Sequence, residues 1–399
     1  MGRSAVAALS LLAMTGAVRA QTAEAPETER YTLRAEVGLE YDSNVHRAEI
    51  VARGDNPPLV ASPLERLVLA ATLSDVVADG QLLTLGATAA GKIFDAPAAR
   101  DENVAIAQSS LAWAKVLSPR ATFTLAGAYY EAFQPATANL IDASERRDFR
   151  SLAPAAQLGL LPGPGLELSL SAGYRFFVFK PDREDDFSAP ALTADLRWVR
   201  QSDGDADWEA STGAGYEHRT FGGPVLVPGS SCPPWEIPPG QTIPPGLVCS
   251  GPDTRVDDFL MAHLDLQRVG RVLIGGGYAF HYNLSNSFGE TVMRHIATAR
   301  FAAPLPAGLT LAARAEILLA FYSQPQVIGA IAAGNSFSSI ESIDDENRSS
   351  VRVDLSREIE DRVRVVARYT FYANEIANAS PISYRRQTFL LSVIGSLEK

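Results

Sequence analysis

The stretch Ser350–Tyr372 constrains the fold more than any other part of the chain. Val351, Val353 and Leu355 alternate with Arg352, Asp354 and Ser356. After a break at Ile359-Glu360-Asp361, Val363, Val365, Ala367, Tyr369 and Phe371 alternate with Arg362, Arg364, Val366, Arg368 and Thr370. A period of two means two strands, each with one apolar and one charged face, joined by a tight turn. Two solvents suit such a sheet. In a soluble sandwich the apolar face meets a second sheet; in an outer-membrane barrel it meets lipid, and the charged face lines a wet lumen.

The remaining chain decides between them. Strand-like runs recur at 31–41, 64–74, 81–94, 103–116, 120–132, 147–161, 166–179, 187–199, 206–220, 255–268, 271–284, 290–303 and 309–323. With the two of the opening hairpin and a last run at 382–397, they make 16. Connections after even-numbered strands are short, as at Asp79-Gly80, Ser118-Pro119 and Ser202-Asp203-Gly204. Those after odd-numbered strands are longer, the longest being the Pro-rich Phe221–Asp253. Tight periplasmic turns and long external loops give a barrel this parity, and a sandwich has no reason for it. A single soluble core would also divide at this length, since cores beyond about 250–300 residues usually do. The expected fold is therefore all-β: a transmembrane antiparallel up-and-down β-barrel of about 16 strands over residues 31–399. Pro154, inside the sixth strand, lacks a ladder donor and is expected to bring a bulge or a shorter strand.

Arg3, the uncharged run Ser4–Val18 and the small-x-small site Val18-Arg19-Ala20 read as a signal peptide over residues 1–20. Residues 21–30 form a polar, acidic periplasmic leader. Removal of the signal peptide takes away Arg3 and Arg19, leaving 33 basic against 46 acidic side chains, a net of −13. That balance argues against nucleic-acid binding, which wants a basic footprint. Cys232 and Cys249 are the only cysteines. In an oxidising compartment such an isolated pair is expected as a disulfide, here stapling the Pro-rich loop into a stiff lid at the mouth.

Candidates for chemistry are few. His281, Asn283, Ser285 and Asn286 carry the residue types of a barrel hydrolase, but Ser285 falls at a strand end and no wider motif surrounds it. The five histidines, His46, His218, His263, His281 and His295, show no metal spacing. Gly275-Gly276-Gly277 lies inside a strand, where it marks close backbone approach or a kink rather than a phosphate loop. The reading is a protein that is not an enzyme and uses no cofactor or metal.

What remains is the lumen. The last three strands and the first become neighbours when the ring closes, and they offer a basic wall of Arg34, Arg352, Arg362, Arg364, Arg368 and Arg386. Across from it, strands 8 to 10 offer an acidic wall of Asp195, Asp207, Glu209 and Asp265. Such walls would set a transverse field that biases which solutes pass. Alternatively, the charges pair with one another and stiffen the interior.

The first strand ends in Tyr41-Asp42-Ser43-Asn44-Val45. This run resembles one that closes the first strand in a family of porin-like outer-membrane β-barrel proteins of Gram-negative bacteria. Some members of that family are associated with exopolysaccharide export. The resemblance implies a place in the cell outer membrane, in contact with its lipid, and delivery by the barrel insertion machinery. For some members it also implies periplasmic polysaccharide-export components as partners. Read without the resemblance, Asp-Ser-Asn makes an Asx-type turn at a strand end. The expected function is a channel passing hydrophilic solutes or an exported polysaccharide through a charged aqueous lumen. The alternative is a plugged barrel serving as a structural or surface-adhesion scaffold through its external loops.

Overall fold

The computed structural model describes residues 30–46, 50–51, 59–133, 148–179, 183–200, 206–232, 248–323, 349–373, 376–377, 382–383 and 385–398. The segments expected as signal peptide, leader (all but Arg30) and Pro-rich lid (233–247) lie outside the described residues. Sixteen long strands follow one another. The first eight are β1 (Arg30–Asp42), β2 (Ser62–Ala78), β3 (Gln81–Phe94), β4 (Val104–Ser118), β5 (Ala121–Phe133), β6 (Phe149–Gly163), β7 (Leu166–Phe179) and β8 (Phe187–Arg200). The second eight are β9 (Ala206–Pro228), β10 (Val248–Gly270), β11 (Leu273–Ser285), β12 (Val292–Pro304), β13 (Leu309–Tyr322), β14 (Ser349–Glu360), β15 (Val363–Ala373) and β16 (Arg385–Glu398).

Each strand pairs antiparallel with the next, and β1 pairs with both β2 and β16, so the sheet closes. The closing ladder runs from Thr32↔Glu398 to Asp42↔Thr388. The ring has no edge, which removes the unpaired backbone that an open sheet would present. Turns at 79–80, 119–120, 164–165, 271–272 and 361–362 lie on the side of the chain ends, and the longer connections lie on the other. Gly80 and Gly165 supply the left-handed φ of 65° and 69° that two of these turns require. On the loop side two small additions brace the ring. Ile376–Ala377 pairs parallel with Leu319–Ala320 of β13, beyond the point where β14 begins. Ile50–Val51 pairs with Ile382–Ser383, tying the β1–β2 loop to the β15–β16 loop.

Alternation now acquires a direction. Val37, Leu39, Leu192 and Leu391 are 60–69% exposed, and Leu67, Leu170, Leu264, Ile317 and Val351 share their outward face. Side chains of this kind are open to solvent on nearly every strand because the solvent is hydrocarbon. The intervening residues face inward, and most of the buried side chains are on that face, many of them polar: Glu36, Glu40, Asp42, Arg66, Lys92, Glu217, Arg219 and Arg386.

Three local expectations are corrected. The hairpin β9–β10 does not stop near Thr220 and Arg255. Both strands are 23 residues long and run out to Pro228 and Val248, with register shifts on either side of Pro224 absorbing its missing donor. Pro154 neither bulges nor shortens β6; the ladder to β5 is unbroken, and that to β7 lapses between Leu152↔Phe176 and Ala155↔Gly173 without changing register. Arg362 is not on a strand. It occupies the exposed turn between β14 and β15, where its carbonyl accepts the Ser396 N–H at 2.9 Å.

Candidate functional site

Among the described residues, the lumen wall gathers charged residues that the sequence spread over 16 strands. Arg34, Arg352, Arg364, Arg368 and Arg386 all face inward, each with a carboxylate close by. Arg386 clasps Asp42 through Nε at 2.9–3.0 Å, and Arg34 lies 3.4 Å from Glu36. Arg352 and Arg368 share Asp354, each at 2.8 Å, and Arg364 reaches Glu358 at 2.6 Å. On the opposite arc, Glu209 holds Arg197 at 2.6 Å and accepts from Gln267 at 2.9 Å. Asp207 stands exposed at the start of β9. These pairings are local, so each charge is answered on its own or a nearby strand before it can add to a field across the pore.

Two of the acidic residues use glycines to reach their partners. Asp195 on β8 lies 3.6 Å from His263 on β10, across β9. A Cβ on Gly213 of β9 would sit 2.2 Å from Asp195 Oδ1 and 2.6 Å from His263 Cε1. Asp265 on β10 meets Arg300 on β12 at 3.0 Å, across β11, and a Cβ on Gly277 would come within 2.3 Å of its carboxylate. The glycine of the middle strand leaves the gap through which next-nearest strands are bridged. At Gly277 the approach is thus by a side chain, Asp265, rather than the close backbone approach or kink expected of the Gly275-Gly276-Gly277 run.

Register adds residues that the sequence reading passed over. Arg300 is directly opposite Arg314, and Arg314 is directly opposite Arg352. Arg368 continues the row through Asp354. Like charges set opposite one another on a sheet are destabilising. Asp265, Glu316 and Asp354 offset this, with Glu316 2.8 Å from Arg314. Arg314 and Arg352 still keep 37% and 36% of their side chains open. Arg300 and Arg314 carry the right parity in sequence, but only the register shows that three arginines share one level.

The other arc carries rings. Tyr130, Phe149, Phe177, Phe187 and Phe221 project inward from five successive strands, with neighbouring centroids 4.9–5.3 Å apart. Arg255 caps Phe221 at 4.0 Å, and Arg219 lies over both Phe187 and Phe259. Arg219 in turn binds Glu217, which Arg175 also reaches at 3.0 Å.

The hydrolase-like residues do not assemble as a catalytic set. The Ser285 hydroxyl donates to Asp257, not to His281. Asn283 donates to Asp257 and to the Glu290 carbonyl, each at 3.0 Å, while His281 packs on Phe259. The group ties the β11–β12 connection to β10. Among the described residues no cluster of His, Cys, Asp or Glu could hold a metal ion. At the tip of the β9–β10 ribbon, Cys232 and Cys249 are joined as a disulfide.

An apolar belt outside, a closed even-numbered ring and charges within define the architecture. The chain is an outer-membrane β-barrel. No family model and no curated protein matches it. Solved structures do align along nearly its whole length. The outer-membrane protein OpdK from Pseudomonas aeruginosa is 9% identical, with a TM-score of 0.48, over 92% of this chain and 99% of that one. OmpT of Vibrio cholerae is 11% identical at a TM-score of 0.44, over 93% and 99%. OccK8 of P. aeruginosa is 11% identical at 0.42, over 93% and 98%. Values this low carry no solute and no mechanism from those barrels to this one.

Proposed function

We propose that this barrel is a passive channel for small hydrophilic solutes, and that the row Arg300–Arg314–Arg352–Arg368 biases it toward anions. The carrying observation is a closed ring of 16 strands that turns its charged side chains inward and its apolar side chains to lipid. A ring of that size leaves an aqueous lumen rather than a side-chain-filled core. Solutes cross by diffusion and no covalent step is involved. Guanidinium groups match carboxylate and phosphate oxygens in pairs, so a passing anion can exchange with the carboxylates that already hold the row. Because each arginine has such a partner, the bias is moderate and the lumen still admits neutral solutes.

Export of a polysaccharide is supported only by the resemblance of Tyr41–Val45 to the family described above. An acidic polymer would present the same carboxylates to the row as a small anion does. Planar-bilayer recording across a salt gradient separates the readings. Steady conductance with a reversal potential on the anion side is expected. Conductance without anion preference removes the role of the arginines, and slow block by an added acidic polymer favours threading. Stable insertion without current leaves the plugged scaffold.

A further inference from the structure

The Asp42-Ser43-Asn44 run does more than end a strand. Asp42 is 0% exposed and receives Arg386 of β16 through two guanidinium nitrogens. Its Oδ1 also accepts the Asn44 N–H at 2.9 Å, which is the Asx turn. Ser43 and Gln387 exchange contacts: the Ser43 N–H donates to the Gln387 carbonyl at 3.0 Å, and the Gln387 N–H donates to Ser43 Oγ at 2.8 Å. Asn44 Nδ2 donates to the Arg385 carbonyl at 3.2 Å. Three consecutive residues at the end of the first strand thus read three consecutive residues at the start of the last.

The junction between β1 and β16 has the least local help in finding its register. Every other neighbouring pair among the sixteen long strands is consecutive in sequence, joined by a turn or loop, whereas these two are joined by the entire chain. Alternation rejects a slip of one residue, because that turns the apolar face inward. A slip of two keeps the faces. Leu33, Ala35, Val37 and Leu39 against Phe389, Leu391 and Val393 would be equally apolar either way. Discrimination must come from the inward side. There, Gly38 leaves room for Leu390, since a Cβ on it would lie 2.8 Å from Leu390 Cδ1. The buried Asp42–Arg386 pair lies at the end of the same ladder.

We propose that Asp42, Ser43 and Asn44, acting on Arg385–Gln387, form a register latch that selects the correct closure of the barrel from closures slipped by two residues. The pairing Ile50–Val51 with Ile382–Ser383 holds the adjoining loops over the same junction. This role is independent of whether the lumen conducts.

Cysteine pairs on the lipid face test it during refolding into detergent or lipid. Leu39→Cys with Leu391→Cys reports the native register, because these residues are directly opposite. Leu39→Cys with Phe389→Cys or Val393→Cys reports a two-residue slip, since diagonal neighbours at about 7–8 Å are too distant for a relaxed disulfide. With Asp42 intact, only the native pair should cross-link. Asp42→Asn should raise slipped product about tenfold or more, the factor set by losing a charge-assisted buried hydrogen bond. Glu40→Gln is the control: Glu40 is buried on the same face but bonds Lys92 of β3, away from the junction. Should Asp42→Asn give no closed barrel, Ser43→Ala and Asn44→Ala each remove one contact and should give slipped product in smaller proportion. Native cross-linking alone in Ser43→Ala and Asn44→Ala, or equal slippage in Glu40→Gln, would overturn the latch.

Discussion

The two arcs of the lumen wall solve one problem in opposite ways. Between β5 and β9, neighbouring strands are matched by aromatic rings stacked in a row, and the wall is stiffened by packing. Between β12 and β15, they are matched by guanidinium groups that would repel one another without interleaved carboxylates. The ring row is buried, with Phe149, Phe177 and Phe187 all below 7% exposure. The arginine row stays partly open. A barrel wall must join its strands on both arcs, but only the open, charged arc can exchange partners with a solute. Stability should therefore depend most on the rings and selectivity most on the arginines.

Phe187→Ala tests the first half of that contrast and should have the largest effect. Phe187 contacts Phe177 and Phe221 and carries Arg219 over its face. Truncation should cost about 3–5 kcal/mol in urea unfolding of the refolded barrel. Loss near 1 kcal/mol would mean that the rings cover the wall without joining it.

Next in size is the lipid face. Leu391→Arg, in the middle of β16 and 61% exposed, should cost about 2–4 kcal/mol, whereas Ser356→Arg, inward-facing on β14, should stay within about 0.5 kcal/mol. Val366 also faces inward, but it is buried and so makes a poorer control than Ser356. Equal losses would place lipid on both faces or on neither.

Arg314→Gln should change stability little, within about 1 kcal/mol, because its ion pair with Glu316 is partly exposed and screened. Its reversal potential in a salt gradient should move toward cations. The reverse outcome, a large stability loss with unchanged selectivity, would make the arginine row another packing device.

The smallest effect on the barrel is expected at Cys232–Cys249. Unreduced, denatured protein should show no free thiol by alkylation and mass measurement. Reduction should leave the heat-resistant gel mobility of the barrel unchanged, because the bridge lies at the tip of the β9–β10 ribbon. A shift to the unfolded mobility would mean that the ribbon supports the wall.

Sequence alone determined the strand count, the faces and the solvent of each face. Strand periodicity and turn chemistry are local, and lipid on one side makes every apolar position visible as such. The same locality gave the direction of Arg352, Arg364 and Arg368, and it failed where a proline or turn changed the local rule, as at Arg362 and in the extension of β9 to Pro228. Who touches whom was decided only by the closed sheet. The meeting of Arg300, Arg314 and Arg352 at one level depends on cross-strand register, and the bridges over Gly213 and Gly277 span strands that are not even adjacent. The meeting of Asp42 with Arg386 joins residues 344 apart. No periodicity within a strand encodes such a distance; it is set when the last strand finds the first.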